Sequence, residues 1–513
     1  MMPARRHFIL LDDVASSAAE LSCFPVRRSG FGRHVHREVC MRAQWLRWTL
    51  GLRIDSGWVP MTLAVATCAA VVIVATTRVA VRRRLRAVAA PCAGAAGGFA
   101  LGFAVTWLLD RFTVFGVSLG MKVVWAAAAG TALVGALVAA SIASSGVART
   151  IAAVMVPVGI LSCAANINVV YGEYPTLGSA LGVSAFSGLD VAALRPATMT
   201  VGQWRRMARD GDLPRVPGHG RVGSVDIPAT SSGFHAREAV VYLPPAALSD
   251  RPPRLPVMLM LSGQPGSPDR TFLAGGLSDV LDSYAAAHHG LAPIVISADQ
   301  LGNPLHNTLC VDSARYGNVE TYLTRDVTDW AKSRLPVSHD ARQWAIGGFS
   351  QGGTCTVQLG PSHPDLYGSM LTVGSELGPH NGSERSMIRE FFDGDAAAYR
   401  RHVPIDIMRA RGRSDQMLIM ASGAMDAESI RNIGAIAPVA KSIGMDVTAF
   451  TVADTGHDWH AVRQAFEAGL GRLGARMGLA DEAEGRIVPS THIHIMAVTA
   501  DPHDMAYDME GKR

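Results

Sequence analysis

One short turn constrains the fold of this chain more than any other feature. Residues 348–352 read Gly-Phe-Ser-Gln-Gly and directly follow the apolar run 344–346. A small-residue segment at 353–357 comes next and can begin a helix. A strand, a G-x-S-x-G turn and a helix in this order predict a nucleophile elbow, which presents the serine at the carboxyl edge of a sheet. The alternative is a glycine-rich turn whose serine only caps a helix.

A serine nucleophile requires a base, and the base requires an acid that orients it. In the fold that carries such an elbow, the acid and then the histidine follow the serine along the chain. Asp426 comes just after the predicted strand 417–421, and His457 comes just after the predicted strand 447–452. The order and the strand-end positions predict a triad of Ser350 as nucleophile, His457 as base and Asp426 as acid.

Two alternatives to this triad are present nearby. Glu428 lies two residues after Asp426 and is the alternative acid. His460 is the weaker candidate for the base, because it falls within the predicted helix that starts near Ala461.

The oxyanion of a tetrahedral intermediate requires hydrogen-bond donors. One predicted donor is the backbone N–H of Gln351, the residue after the nucleophile. The other should come from the loop 262–267, Ser-Gly-Gln-Pro-Gly-Ser, which follows the predicted strand 255–261. Since Pro265 has no N–H, Gln264 is the predicted donor. The alternative is an ordinary Gly/Pro turn.

Several of these segments resemble one family. The elbow, the segment 457–459 and the loop 262–264 are similar to the putative esterase family of α/β-hydrolases, which includes esterase D and the actinobacterial mycolyltransferases. Similar segments also lie at 310–313, 321–327, 363–368 and 374–379. The resemblance covers about residues 220–478 and implies ester hydrolysis or acyl transfer through a serine acyl-enzyme. The mycolyltransferases use a glutamate as acid, which keeps Glu428 as an alternative, and the loop after Ser262 lacks their sequence.

The second half of the chain has the strand and helix order of one α/β domain. Residues 222–228 and 236–243 predict a hairpin, and further strands are predicted at 293–298 and 368–373. Alternating strands and helices favour a mostly parallel sheet with helices on both faces. We therefore predict an α/β-hydrolase domain at 220–478, preceded by a linker at 172–219 and followed by a disordered tail at 479–513.

The first part of the chain has the composition of a membrane anchor. Four apolar runs lie at about 58–81, 88–109, 123–142 and 151–170, and none contains an acidic residue. Each is close to the ~20 residues that a transmembrane helix needs. Their many small residues suit close helix packing in lipid. We predict a transmembrane region of four helices at 58–171.

Arginines predict the orientation of these helices. Arg82, Arg83, Arg84 and Arg86 follow the first run, and Arg149 lies between the third and fourth. Positive loops stay in the cytoplasm, so the catalytic domain is predicted outside it, beside the cell envelope. The arginine-rich extension at 1–57 would then also lie outside. This placement of so many arginines disagrees with the positive-inside rule, and three explanations are open. They are a true start near Met41 or Met61, a disordered arm at 1–40, or an interfacial helix at 41–52.

Other features narrow the functional class. Cys310 and Cys355 are the two cysteines of the catalytic domain, and an oxidising compartment would allow them to pair. A net charge of +4 without a basic–aromatic patch favours no nucleic-acid partner. We expect no metal and no cofactor, because a serine triad needs neither.

The expected partners are an acyl-ester substrate, such as an envelope lipid or sugar ester, and the bilayer. The alternatives are a non-catalytic envelope-binding protein with this fold, or a transporter or sensor with an accessory hydrolase-like domain.

Overall fold

The computed structural model describes residues 44–46, 48–76, 81–112, 119–183 and 185–499, with the backbone alone for residues 81–87. The predictions for the arm at 1–40, for a start at Met41 and for residues 500–513 fall outside this description. The chain forms two compact units, the first ending at Ser187 and the second beginning at Gly188.

The first unit is built from four long helices. They are α1 (Trp58–Thr76), α2 (Val81–Arg111), α3 (Met121–Ala143) and α4 (Gly146–Tyr171), followed by the short α5 (Leu177–Ala180). By length and composition, all four long helices could cross a membrane. A Cβ atom added to Gly94 of α2 would lie 2.3 Å from the carbonyl oxygen of Gly135 in α3. The two helices therefore approach closely enough that only glycine fits at their contact, as in membrane helix pairs.

The chain enters and leaves this bundle at the same end. The Ile54 N–H donates to the Pro175 carbonyl at 2.9 Å, and the Leu177 N–H donates to the Leu52 carbonyl at 2.9 Å. Residues 44–46 and 48–50 are helical, in the region where an interfacial helix was one alternative. Arg149 lies in the first turn of α4 rather than in a loop, and its Nε donates to the Ser141 carbonyl at 3.0 Å.

A nine-stranded sheet is the centre of the second unit. Its strands, in spatial order, are β13 (Ile493–Met496), β12 (Asp446–Val452), β11 (Met417–Gly423), β10 (Ser369–Val373), β9 (Trp344–Phe349), β5 (Val257–Leu261), β6 (Ile294–Ser297), β3 (Ala239–Leu243) and β2 (Arg221–Val225). The strands from β12 to β6 run parallel, while β2, β3 and β13 are antiparallel to their neighbours. Continuous apolar strands such as β5 are wholly buried, as expected where helices cover both faces.

Helices lie on both faces of this sheet. The helices of the second unit are α6 (Val201–Asp210), α7 (Arg270–Leu273), α8 (Leu277–Ala287), α9 (Val319–Thr321), α10 (Val327–Arg334), α11 (Gln351–Ser362), α12 (Glu384–Phe391), α13 (Ala396–Arg400), α14 (Pro404–Arg411), α15 (Ala427–Ser442) and α16 (Trp459–Arg476). Alternating residues of β10 distinguish the faces: Met370 lies against Gly360 of α11, whereas Leu371 lies against Gly469 of α16. Short pairs β1 (Met199–Thr200) with β4 (Pro253–Arg254) and β7 (Asp312–Ser313) with β8 (Gly317–Asn318) complete the unit.

The predicted linker is a structured part of the second unit from Gly188 onward. Trp204 of α6 is fully buried, and its Nε1 donates to the His289 carbonyl at 3.1 Å. Helix α6 therefore buries an apolar face that the Gly- and Pro-rich composition of the segment obscured.

The expectation of a disordered tail was wrong for residues 493–496. These residues form β13, which pairs antiparallel with β12 and aligns Ile493 with Val452. Strand β13 therefore covers the edge of β12; Ile493 is buried, whereas Ile495 is exposed.

Candidate active site

Ser350 occupies the tight turn between β9 and α11. Its φ of +56° is a conformation that residues with a side chain seldom adopt. A Cβ atom on Gly348 would lie 2.3 Å from the Gly352 carbonyl oxygen, and one on Gly352 would lie 2.3 Å from that of Leu261. Glycine at both flanking positions therefore allows the turn to close against β5.

The structure brings three predicted side chains into a hydrogen-bonded chain. His457 Nε2 lies 2.8 Å from Ser350 Oγ, and His457 Nδ1 lies 2.7 Å from Asp426 Oδ2. All three side chains are buried. Phe349 packs against the imidazole with ring centroids 4.9 Å apart and against Trp459 at 5.0 Å. Trp459 therefore packs against Phe349, which in turn packs against the imidazole.

His457 and Asp426, the two ionisable side chains of this hydrogen-bonded series, shift each other's pKa. Burial opposes the charged form of His457, but its hydrogen bond to Asp426 and the carboxylate's charge raise the pKa of the imidazole above its usual value. Burial likewise opposes the charged form of Asp426, yet His457 and Ser429 lower the pKa of the carboxyl overall. The geometry therefore favours a carboxylate that stabilises a positively charged imidazole.

Asp426 rather than Glu428 reaches the imidazole. Asp426 is the N-cap of α15, where its carboxylate accepts from the Ser429 N–H at 3.1 Å and from Ser429 Oγ at 2.6 Å. Glu428 lies within the first turn of α15 and is half-buried, and the Nδ1 atom that it would need faces Asp426. His460 is exposed on α16.

The two predicted oxyanion residues flank the serine. Gln351 is the first residue of α11, so its N–H has no partner within the helix. Gln264 follows Gly263, and a Cβ atom on Gly263 would lie 3.5 Å from Cβ of Ser350. The loop that carries Gln264 is therefore adjacent to the nucleophile. The side chain of Gln264 is engaged elsewhere, because its Nε2 donates to the Leu305 carbonyl at 3.1 Å. Only the backbone N–H of Gln264 is a candidate oxyanion donor.

An ion pair that the sequence did not reveal holds the loop of Gln264. Both terminal nitrogens of Arg237 donate to the Gly266 carbonyl at 3.1 Å, and the same guanidinium pairs with the fully buried Asp299 at 2.6 Å. Asp299 also accepts from the N–H groups of Leu301 and Gly302 at 3.1 Å. The arginine lies on the chain before β3 and the aspartate after β6, so only the pairing of these strands brings them together.

Gln351 is also anchored through its side chain. Gln300 Nε2 donates to Gln351 Oε1 at 3.0 Å and to the Ser262 carbonyl at 2.6 Å.

Cys310 and Cys355 are joined by a disulfide with a Cα–Cα distance of 5.8 Å. Because Cys355 lies in α11, this bond ties the helix of the elbow to the loop that follows β6.

A small cavity opens beside the elbow. Counting the solvent-open space at its mouth, it has a volume of about 210 Å³, and it is lined by Asn307, Leu309, Gln351, Thr354, Cys355, Glu376, Pro379 and His380. Glu376 follows β10 and was not predicted as a site residue. Among the described residues, no group of three or more His, Cys, Asp or Glu side chains is placed to hold a metal ion.

Comparison with known proteins identifies the domain. Residues 234–473 match the family model described as "Putative esterase". An uncharacterized protein of Corynebacterium glutamicum is 33% identical over 341 residues, which span 65% of this chain and 78% of that protein. The chain belongs to the putative esterase family. It is accordingly an enzyme, an ester hydrolase.

Solved structures with similarity to this esterase share little sequence with it. An S-formylglutathione hydrolase from Agrobacterium tumefaciens is 16% identical and covers 52% of this chain and 99% of its own, with a TM-score of 0.43. Mycobacterium tuberculosis MPT51 is 16% identical and covers 50% of this chain and 98% of its own, with a TM-score of 0.39.

The disulfide leads to a direct chemical prediction. In unreduced, denatured protein, peptides that contain Cys310 and Cys355 should appear as one cross-linked species by mass spectrometry. Cys163, which is a free thiol in α4, should be alkylated without reductant and is the internal control. Alkylation of both Cys310 and Cys355 before reduction would contradict the assignment.

Proposed function

We propose that this esterase is a membrane-anchored serine hydrolase or acyltransferase whose catalytic triad is Ser350, His457 and Asp426. The observation that carries the proposal is the continuous hydrogen-bonded chain from Ser350 Oγ through both imidazole nitrogens to Asp426 Oδ2, at 2.8 and 2.7 Å. Family membership supports ester chemistry, and this chain supplies a nucleophile with its base and orienting acid.

In the proposed acylation step, Ser350 Oγ attacks the carbonyl carbon of the ester while its proton moves to His457 Nε2. Asp426 keeps the Nδ1–H in place and stabilises the imidazolium that forms. The carbonyl oxygen becomes an oxyanion, which accepts from the N–H groups of Gln264 and Gln351. When the intermediate collapses, the alcohol leaves with the proton from Nε2, and the acyl group stays on Ser350.

Deacylation reverses the roles with a second oxygen nucleophile. His457 Nε2 takes a proton from water or from an acceptor alcohol, whose oxygen attacks the acyl carbon. The ester bond to Ser350 then breaks, and the proton returns to Ser350 Oγ. Water releases a carboxylic acid, whereas an alcohol acceptor yields a new ester. An envelope lipid or sugar hydroxyl is the acceptor that a membrane-bound position would favour.

We further propose that α1–α4 span the membrane and that the catalytic unit lies outside the cytoplasm. The four helices have the required length and hydropathy, and entry and exit at one end of the bundle match an even number of spans. Arg82, Arg83, Arg84 and Arg86, at the N-terminal end of α2, favour a cytoplasmic location for the opposite end of the bundle. A disulfide beside the nucleophile supports an oxidising compartment.

The nucleophile can be tested by covalent labelling. In membranes that contain the full-length protein, a fluorophosphonate probe should label the wild type and fail to label Ser350→Ala. Thr354→Ser, a conservative change in the same helix turn, should retain labelling and show that the site is folded. Undiminished labelling of Ser350→Ala would falsify the nucleophile assignment.

The pH profile tests the acid. Because the base must be neutral to accept a proton, kcat/KM should fall as pH decreases through a pKa above the usual value of about 6.5. Asp426→Asn removes the carboxylate that favours the imidazolium, so this acidic limb should move to lower pH while kcat drops by about 10⁴.

Glu428→Gln is the matched control for the acid. It removes a neighbouring carboxylate from the same helix turn and should leave both the limb and kcat close to those of the wild type. The assignment would be reversed if Glu428→Gln caused the large loss of kcat and Asp426→Asn did not.

Orientation can be tested with two single-cysteine additions. Glu467 is exposed on α16, and Ser145 is exposed at the α3–α4 connection. On intact cells, a membrane-impermeant maleimide should label Glu467→Cys above the wild-type background but not Ser145→Cys, which should react only after lysis. The opposite pattern would place the catalytic unit in the cytoplasm.

A further inference from the structure

The cavity beside Ser350 is formed by three separate segments that converge on the elbow. Gln351 and Thr354 belong to the first turn of α11, Glu376 follows β10, and Asn307 lies on the loop after β6. The Thr354 N–H donates to the Ser350 carbonyl at 2.8 Å. Because Gln351 adjoins the nucleophile, a substituent of a substrate bound at Ser350 would lie beside this cavity.

Glu376 is the one carboxylate among the residues that line the cavity. Its backbone is fixed, because its N–H donates to Thr354 Oγ1 at 3.0 Å. The other polar side chains of the cavity are less suited to bind a charged substituent. Asn307 Nδ2 already donates to the His380 carbonyl at 2.9 Å, and His380 is exposed. Within the described part of the chain, no arginine, lysine or histidine forms an ion pair with Glu376.

A half-buried carboxylate without a cationic partner is electrostatically unsatisfied. Burial raises the pKa of Glu376 to about 7; the nearby His457 opposes this rise and Glu428 adds to it. Asp426 and Asp458 also act on His457, so the surroundings of the imidazole already carry an excess of acidic groups. A cation that entered the cavity would provide the missing countercharge, whereas a second anion would be repelled.

We propose that Glu376 is a specificity-determining residue that selects esters bearing an ammonium group, in the acyl or the alcohol part, over anionic esters. The inference rests on the proposed function, because it places the substrate's charged group relative to an acyl carbon at Ser350. Ionised Glu376 accepts hydrogen bonds from the cation or attracts it across the cavity, while protonated Glu376 gives no charge preference.

Two substrate series separate the two parts of the ester. For the alcohol part, acetylcholine is compared with its neutral isostere neohexyl acetate. For the acyl part, the p-nitrophenyl esters of hexanoic acid, of adipic acid as its monoester and of a trimethylammonium-capped hexanoic acid are compared. Values of kcat/KM are measured for the full-length protein in detergent at pH 6 and pH 8, for the wild type, Glu376→Gln and Glu384→Gln.

The wild type should prefer the cationic ester to the neutral one at pH 8 in at least one series, and the preference should shrink at pH 6 as Glu376 becomes protonated. Glu376→Gln should reduce the pH 8 ratio of cationic-ester to neutral-ester kcat/KM by roughly tenfold, the scale of a partly screened attraction between two unit charges. Glu384, an exposed carboxylate outside the cavity, is the matched control, and its glutamine variant should keep the wild-type preference.

An unchanged charge preference in Glu376→Gln, or no preference in the wild type for either series, would overturn the inference. Failure of the proposed function gives a different result: turnover of the neutral esters would then persist in Ser350→Ala. A loss of neutral-ester turnover in Glu376→Gln without any change in the charge preference would assign Glu376 to the support of His457 instead, and would also reject the inference.

Discussion

The strained backbone of Ser350 is the constraint on which the active site depends. A residue with φ of +56° costs on the order of 1–3 kcal/mol and persists only where its surroundings fix it. Here the Ser350 N–H donates to the Val373 carbonyl of the neighbouring strand at 2.9 Å, and the Gly352 N–H donates to the Ser262 carbonyl at 3.1 Å. The sheet therefore holds the serine and brings the loop of Gln264 beside it through the same set of contacts.

The parallel direction of the strands supplies the rest of the geometry. Because β9, β11 and β12 run the same way, the residues that follow them meet at one edge of the sheet. The loops after β11 and β12 are also bonded to each other: the Ala424 N–H donates to the Val452 carbonyl at 2.8 Å, and the Met425 N–H donates to the Thr455 carbonyl at 3.0 Å. These bonds fix the distance between the segments that carry Asp426 and His457.

Contacts outside this edge of the sheet also restrain the active-site residues. Arg237 and Asp299 hold the Gly266 turn, and the Cys310–Cys355 bond restrains α11. A site that transfers a proton between Ser350 and His457 benefits from such restraint, because small displacements of the reacting groups reduce the rate strongly.

Features determined by local pattern were predictable from the sequence, and features determined by tertiary contact were not. The hairpin of β2 and β3, the strands of the parallel sheet and the elbow follow from alternation, apolar runs and glycine spacing, and the order of Ser350, Asp426 and His457 indicated which residues to consider. Their catalytic roles stay a prediction until tested.

By contrast, nothing in the sequence marks Glu376 as facing a cavity or pairs Arg237 with Asp299, since those relations exist only once distant strands are adjacent. For the same reason, the burial of Trp204 and the pairing of β13 with β12 were missed.

Direct detection of the acyl-enzyme tests the central claim most closely. Full-length protein is mixed with a p-nitrophenyl ester, denatured rapidly in acid and digested, and the peptides are examined by mass spectrometry. The account predicts that the acyl group is attached to Ser350 in the wild type and is absent from Ser350→Ala, which releases no p-nitrophenol above background. An acyl group on another residue, together with continued turnover by Ser350→Ala, would contradict it.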